Sequence, residues 1–139
     1  MSQNKPIILF DTNMLLLMAN GVRVLEQIEE KTCIKPRYVV IRPVYNELLK
    51  IASKSNGILK RKALFALQLV ERFFEILDFE QHVNESVDDA IIRFAMENKA
   101  IVATNDRELR SKLRQYGITE IYFREESRRI EIEGILSHY

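Results

Sequence analysis

The feature that most narrows what this chain can become is a set of short apolar runs that do not alternate with polar residues. "KPIILF" (5–10) stops at Asp11 and "YVVIR" (38–42) stops at Pro43, while "AIVAT" (100–104) and "EIYF" (120–123) follow the same pattern. A strand with one wet face alternates apolar and polar residues, whereas a continuously apolar run is buried on both faces, as in a parallel sheet covered by helices. "FFEILDF" (73–79) reads either as a further strand or as the end of the helix before it.

Between these runs the spacing becomes helical. Leu59, Ala63, Ala66, Leu67 and Val70 recur at steps of three and four over 58–72, with Lys60, Arg61, Lys62, Glu71 and Arg72 mostly opposite. Pro43 suits the first turn of a helix that runs to about Lys54, and "KSNG" (54–57) breaks it. Ser86 is an N-cap for a helix to about Asn98, with Asp89 at the capping-box position. Leu109, Leu113 and Tyr116 mark a last helix that ends before Gly117. Strands alternating with helices predict an α/β fold, a three-layer α/β/α sandwich with a central, mainly parallel sheet of four to five strands.

With 139 residues, 47% of them hydrophobic, and no linker or repeat, residues 1–139 are expected to form one domain, with 124–139 as a C-terminal extension. The tail "IEIEGILSHY" is expected to be an edge strand that packs on the domain or on a second copy. The single cysteine, Cys33, has no partner for a disulfide and is expected to be a small buried side chain near a strand. The apolar run Met14 to Ala19 is shorter than the roughly 20 residues that cross a bilayer and lacks signal-peptide flanks, so the expected location is cytoplasmic. A net charge of +1 does not mark a globally basic nucleic-acid binder, so any such role rests on local charge.

Three of the four acid sites are placed where this architecture puts its ligands, at the carboxyl ends of the strands or one helical turn beyond, and the fourth, at 88 and 89, opens a helix whose chain returns to that edge only if the topology permits. Asp11 follows the first strand directly, and Glu47 lies one helical turn past Pro43. Asp88 and Asp89 open the helix after "NES", and Asp106 follows "AIVAT" within "ATNDREL". Each has an ordinary explanation as a helix cap, a first-turn acid or a solvated charge. Together they are harder to explain this way, because a cap needs no matching acid on the next strand. Carboxylates gathered in one cleft repel unless some stay protonated or a cation is shared. Oxygen-only donors suit Mg²⁺ or Mn²⁺, as one ion or as a pair about 4 Å apart, and such ions assist phosphodiester hydrolysis.

"ILFDTNMLL", "PVYNELLKI" and "DDAIIRFAMENKAIVATNDREL" resemble the motifs of the PIN-domain nucleases, from Pro6 to about Tyr122. The spacing of Asp88, Ala95 and Asp106 matches the family and selects Asp88 over Asp89 as its third acid. The resemblance implies a metal-dependent endoribonuclease of single-stranded RNA with catalytic and metal-binding acids Asp11, Glu47, Asp88 and Asp106, and with Asp89 as a cap or auxiliary ligand. It also implies that Thr12, Asn13, Thr104 and Asn105 support those acids. The double Asp and the ending "VATNDRELRSKLRQYGITEIYF" look most like the archaeal and eukaryotic branch tied to small-subunit ribosomal RNA processing. The toxin-antitoxin ribonucleases share the same acids. Partners implied are RNA, a second copy of the chain, and a ribosome-assembly factor or antitoxin.

Lys60, Arg61 and Lys62 on one helix, and Arg107, Arg110, Lys112 and Arg114 around the last acid, are the expected phosphate contacts. His82 and His138 are too isolated for a zinc site. A phosphoacceptor receiver domain needs paired acids after strand one and a lysine after a late strand; strand one ends in "FDTN" and no lysine follows "EIYF". A hydrolase with an Asp nucleophile needs a second acid where Asn13 stands. A PIN-like module that binds RNA or protein without cutting is the remaining rival.

Overall fold

The computed structural model describes residues 5–134. The elements run β1 (Ile7–Phe10), α1 (Thr12–Ala19), α2 (Val24–Thr32), β2 (Arg37–Ile41), α3 (Arg42–Lys54), α4 (Gly57–Phe73), β3 (Glu75–Leu77), α5 (Val87–Asn98), β4 (Ile101–Ala103), α6 (Arg107–Gln115), β5 (Glu120–Arg124) and β6 (Arg129–Glu133). They form a three-layer α/β/α fold. The strands make one sheet in the order β3-β2-β1-β4-β5-β6, parallel throughout except for the β5–β6 hairpin.

β1 lies inside the sheet, paired along both edges. Ile8, Leu9 and Phe10 are almost completely buried, and each such side chain stabilises the fold by about 1.5–3 kcal/mol relative to exposure. β2 pairs on one side of β1 and β4 on the other, in registers Leu9↔Val39 and Phe10↔Ala103. Chain order reverses between β1 and β4, and that switch point opens a crevice at the carboxyl ends of the two strands.

The sheet has six strands, one more than the upper end of the expectation. "EIL" is a strand, settling the open reading of 73–79, and the tail contributes β6 over 129–133. Residues 135–139 of that tail, with His138, lie outside the described residues. Strand two begins at Arg37 and hands over to α3 at Arg42, because Pro43 fits the first helical turn. β6 can lie against β5 only with a glycine after it: a Cβ on Gly134 would sit 2.7 Å from Thr119 Cα, and its φ is +125°.

Helix α2 has no start signal, since Arg23 at its N-cap makes no side-chain bond and only Val24, Leu25 and Ile28 mark its buried side. It ends on Cys33 in the left-handed conformation, φ 57°. That thiol is exposed, which corrects the expected buried position: a helix C-cap turns its side chain to solvent, and the strand begins only at Arg37. No helix among the described residues is long and apolar enough to cross a membrane.

Candidate active site

Asp11, Glu47, Asp88 and Asp106 line one cleft of about 460 Å³ at the β1/β4 switch point, together with Thr12, Asn13, Leu16, Lys50 and Ile51. Four separate segments supply these acids: the exits of β1 and β4, the second turn of α3 and the first turn of α5.

Asp11 is the innermost, 6% exposed. It is also the N-cap of α1, accepting from the Thr12 backbone N–H at 2.7 Å on Oδ1. Its other oxygen accepts from Thr104 Oγ1 at 2.9 Å, so a residue 93 positions away fixes its direction. Thr104 Oγ1 also accepts from the backbone N–H of Asp106 at 3.1 Å, holding the turn between β4 and α6. Asp106 caps α6, accepting from Leu109 N–H at 3.1 Å. The capping role and the cleft role therefore coincide in both residues, since the strand-to-helix turn that needs a cap is also the turn that opens onto the crevice.

Glu47 is held by Thr12, whose hydroxyl donates to Oε1 at 2.7 Å. Asn13 Oδ1 accepts from Asn105 N–H at 3.2 Å. The Asn105 side chain behaves like an added rung of the sheet, its Oδ1 accepting from Phe123 N–H at 2.7 Å and its Nδ2 donating to Phe123 O at 3.4 Å. Asp88 sits in the first turn of α5, where Ser86 caps the helix by accepting from Asp89 N–H at 3.0 Å. Arg93 braces the loop that leads there. Its guanidinium bonds Glu85 twice at 3.0 Å and the Glu80 carbonyl at 2.6 Å, and lies over the Phe79 ring at 4.1 Å. Asp89 turns away from the cleft lining to Lys112 at 3.6 Å.

The electrostatics record crowding. Burial pushes the Asp11 carboxyl up to about 6, against the lowering effect of the Thr104 and Thr12 hydrogen bonds, and the Asp88 and Glu47 charges add to the rise. Asp88 is also raised, first by burial and then by Asp106, with Lys112 opposing. Thr104→Val is accordingly expected to raise Asp11 further, read as a later titration of its carboxyl signal by NMR; an unmoved Asp11 titration would contradict the hydrogen bond's role.

The donors fit a small hard cation, being carboxylates and hydroxyls with no His or Cys among the cleft's lining. Among the described residues no three His, Cys, Asp or Glu side chains converge tightly enough to enclose an ion unaided.

Of the expected phosphate contacts, Arg110 and Arg114 are held by Glu120, at 2.6 and 3.2 Å from its Oε1. Lys112 faces Asp89. Lys60, Arg61, Lys62 and Arg107 form no ion pair among the described residues, and Lys60, Arg61 and Arg107 are exposed. Sequence reasoning missed Lys50, Leu16 and Ile51. The signal for Lys50 was its place three residues after Glu47, which puts both on one helix face.

Residues 8–126 match the family described as PIN like domain. The chain is 33% identical over 119 residues to ribonuclease VapC9 of Archaeoglobus fulgidus, spanning 85% of this chain and 83% of that protein. It is 29% identical over 128 residues to ribonuclease VapC4 of Methanocaldococcus jannaschii, spanning 91% and 95%. Its backbone matches the solved structure of the PIN domain endonuclease Utp24 with a TM-score of 0.75 at 24% identity, over 95% of this chain and 94% of that one, a likeness of fold. The switch-point cleft is thus built on the same scaffold as these proteins, and the chain belongs to the PIN-like domain family.

Proposed function

We propose that this protein is a Mg²⁺- or Mn²⁺-dependent endoribonuclease that hydrolyses single-stranded RNA, with Asp11, Glu47, Asp88 and Asp106 as its working acids. The observation that carries the proposal is their convergence on one cleft from four segments of the chain. The names of the two curated relatives, both ribonucleases, support RNA as the substrate.

One or two ions would be held by these four carboxylates, directly or through water. When bound, such an ion supplies a nucleophile from water at neutral pH and offsets charge on the phosphodiester. The protein's part is orientation. Thr104 and Thr12 aim the two oxygens of Asp11, Thr12 aims Glu47, and the α6 cap fixes Asp106. The Asn13–Asn105 contact ties the β1 and β4 exits to each other. Lys60, Arg61, Lys62 and Arg107 are available to guide the strand by its phosphates.

Two roles fit this chemistry. Processing of small-subunit ribosomal RNA is supported by the motif resemblance; a toxin-type ribonuclease with an antitoxin partner is favoured by the VapC names of the relatives. A single specific cut in a structured ribosomal RNA fragment would favour the first, and growth arrest on expression the second.

The central test incubates labelled single-stranded RNA with Mn²⁺ and wild type, Asp11→Asn or Asp106→Asn. Cleavage by wild type alone is expected. If all three cut equally, or none cuts, the nuclease reading fails. A shift of the RNA in a gel without cutting would identify a binding module instead.

A further inference from the structure

Four carboxylates explain how the cleft could hold a cation, but they also repel the strand it is proposed to cut. Among the residues that line the cleft a single cation appears, Lys50. We propose that Lys50 is a substrate-binding residue of this cleft, gripping the RNA phosphate next to the one that is cut; this rests on the nuclease reading above.

The other basic residues near the last acid are already engaged. Glu120 takes Arg110 and Arg114, and Asp89 takes Lys112. The Lys50 side chain has no ion pair or hydrogen bond among the described residues, although acids stand close by. Its charge is therefore uncommitted until something enters.

Position gives that charge its target. Lys50 follows Glu47 by three residues on α3, a spacing that sets their Cβ atoms about 5–6 Å apart on one face. Glu47 is pinned inward by Thr12, while Lys50 is exposed. Beside it Leu16 and Ile51 form the apolar part of the wall, a surface against which a lysine stem can lie with its ammonium in water. An ion among the acids would neutralise the reacting phosphodiester, but the neighbouring phosphate still faces carboxylates at short range. An ammonium one helical turn outward offsets that repulsion, and a point charge on a flexible stem suits a single phosphate.

The test uses the full chain as wild type, Lys50→Ala, Lys50→Arg and Lys35→Ala. Lys35, just before β2 at the other end of the sheet, controls for lost charge. Binding of a labelled single-stranded RNA is followed by fluorescence anisotropy over a salt series, with Ca²⁺ in place of Mn²⁺. Lys50→Ala is expected to weaken binding about fivefold and to lower the log–log salt slope by about 0.7, one phosphate contact on a single strand. Lys50→Arg should stay near wild type, and Lys35→Ala should match it. With Mn²⁺, Lys50→Ala should raise KM and leave kcat within about twofold, as for a contact made equally before and during the reaction.

Unchanged affinity and slope in Lys50→Ala overturn the proposal, as does an equal loss in Lys35→Ala or a fall in kcat at constant KM. If wild type binds RNA through Lys50 but never cuts it, the nuclease reading fails and the phosphate contact stands. If wild type cuts and Lys50→Ala behaves identically, the reverse holds.

Discussion

Asp11→Asn should abolish cleavage, by about 10³-fold or more, and at the same time make the metal-free protein harder to unfold. The second effect follows from burial. Asp11 titrates at about 6 in the fold against an ordinary 3.8, and roughly two pKa units correspond to about 3 kcal/mol. Because the folded value is raised, the stabilising contribution of Asp11 is complete below 3.8 and is lost as pH rises through about 6. At pH 7 the wild type therefore carries an unfavourable buried charge that an amide lacks. Asn can keep both contacts, its oxygen accepting from Thr12 N–H and its amide donating to Thr104 Oγ1. Thermal melts in EDTA should show the variant several degrees more stable at pH 7, with the gap closing towards pH 4. A variant less stable than wild type at pH 7 would mean that the helix cap outweighs the buried charge. A divalent ion bound among these carboxylates, as proposed, would relieve that repulsion at its source.

Arg110→Ala is expected to produce the largest loss of stability, on the order of 3 kcal/mol, without touching the cleft. Glu120 is completely buried, its Oε2 is the one buried side-chain polar atom among the described residues with no hydrogen-bond partner, and Arg110 Nε holds its other oxygen at 2.6 Å. Arg110 also lies over the Tyr122 ring at 3.6 Å, so its removal strips both a counter-charge and a stacking partner. Half-exposed Arg114, at 3.2 Å, cannot replace it. Denaturant melts should show a lower midpoint, and the double variant Arg110→Met with Glu120→Leu should recover most of the loss, because removing both charges leaves nothing uncompensated. A single variant as stable as wild type would show that Arg114 alone suffices.

The fold was legible where burial writes its own pattern. β1, β2, β4 and β5 show as continuous apolar runs, and α3, α5 and α6 as apolar stripes with a Pro, Ser or Asp at the start, while α4 shows by its stripe and the break before it. α2 was not, because nothing caps it and its apolar side is three residues wide. Asp11, Glu47 and Asp106 could be grouped from their positions after strands and Asp88 joined them through the family spacing, yet two kinds of information were beyond the string of letters. The first is pairing among charges: nothing local to "TEIYF" shows that its glutamate is buried and will claim Arg110 and Arg114, two of the residues expected to meet RNA. The second is the partner that Asp89 takes: the family spacing selects Asp88 as the acid, but nothing local shows that Asp89 turns to Lys112.

Placing β1 between β2 and β4 has a consequence during synthesis. The Ala103 carbonyl that accepts the Asp11 backbone N–H is synthesised long after Asp11, and the Thr104 hydroxyl that aims its carboxylate comes 93 residues later in the chain. Contacts this distant in sequence form late and slowly. A polypeptide released anywhere before Ile101 would keep one edge of β1 unpaired and Asp11 unaimed, so a truncated product lacks the arrangement on which the proposed activity depends.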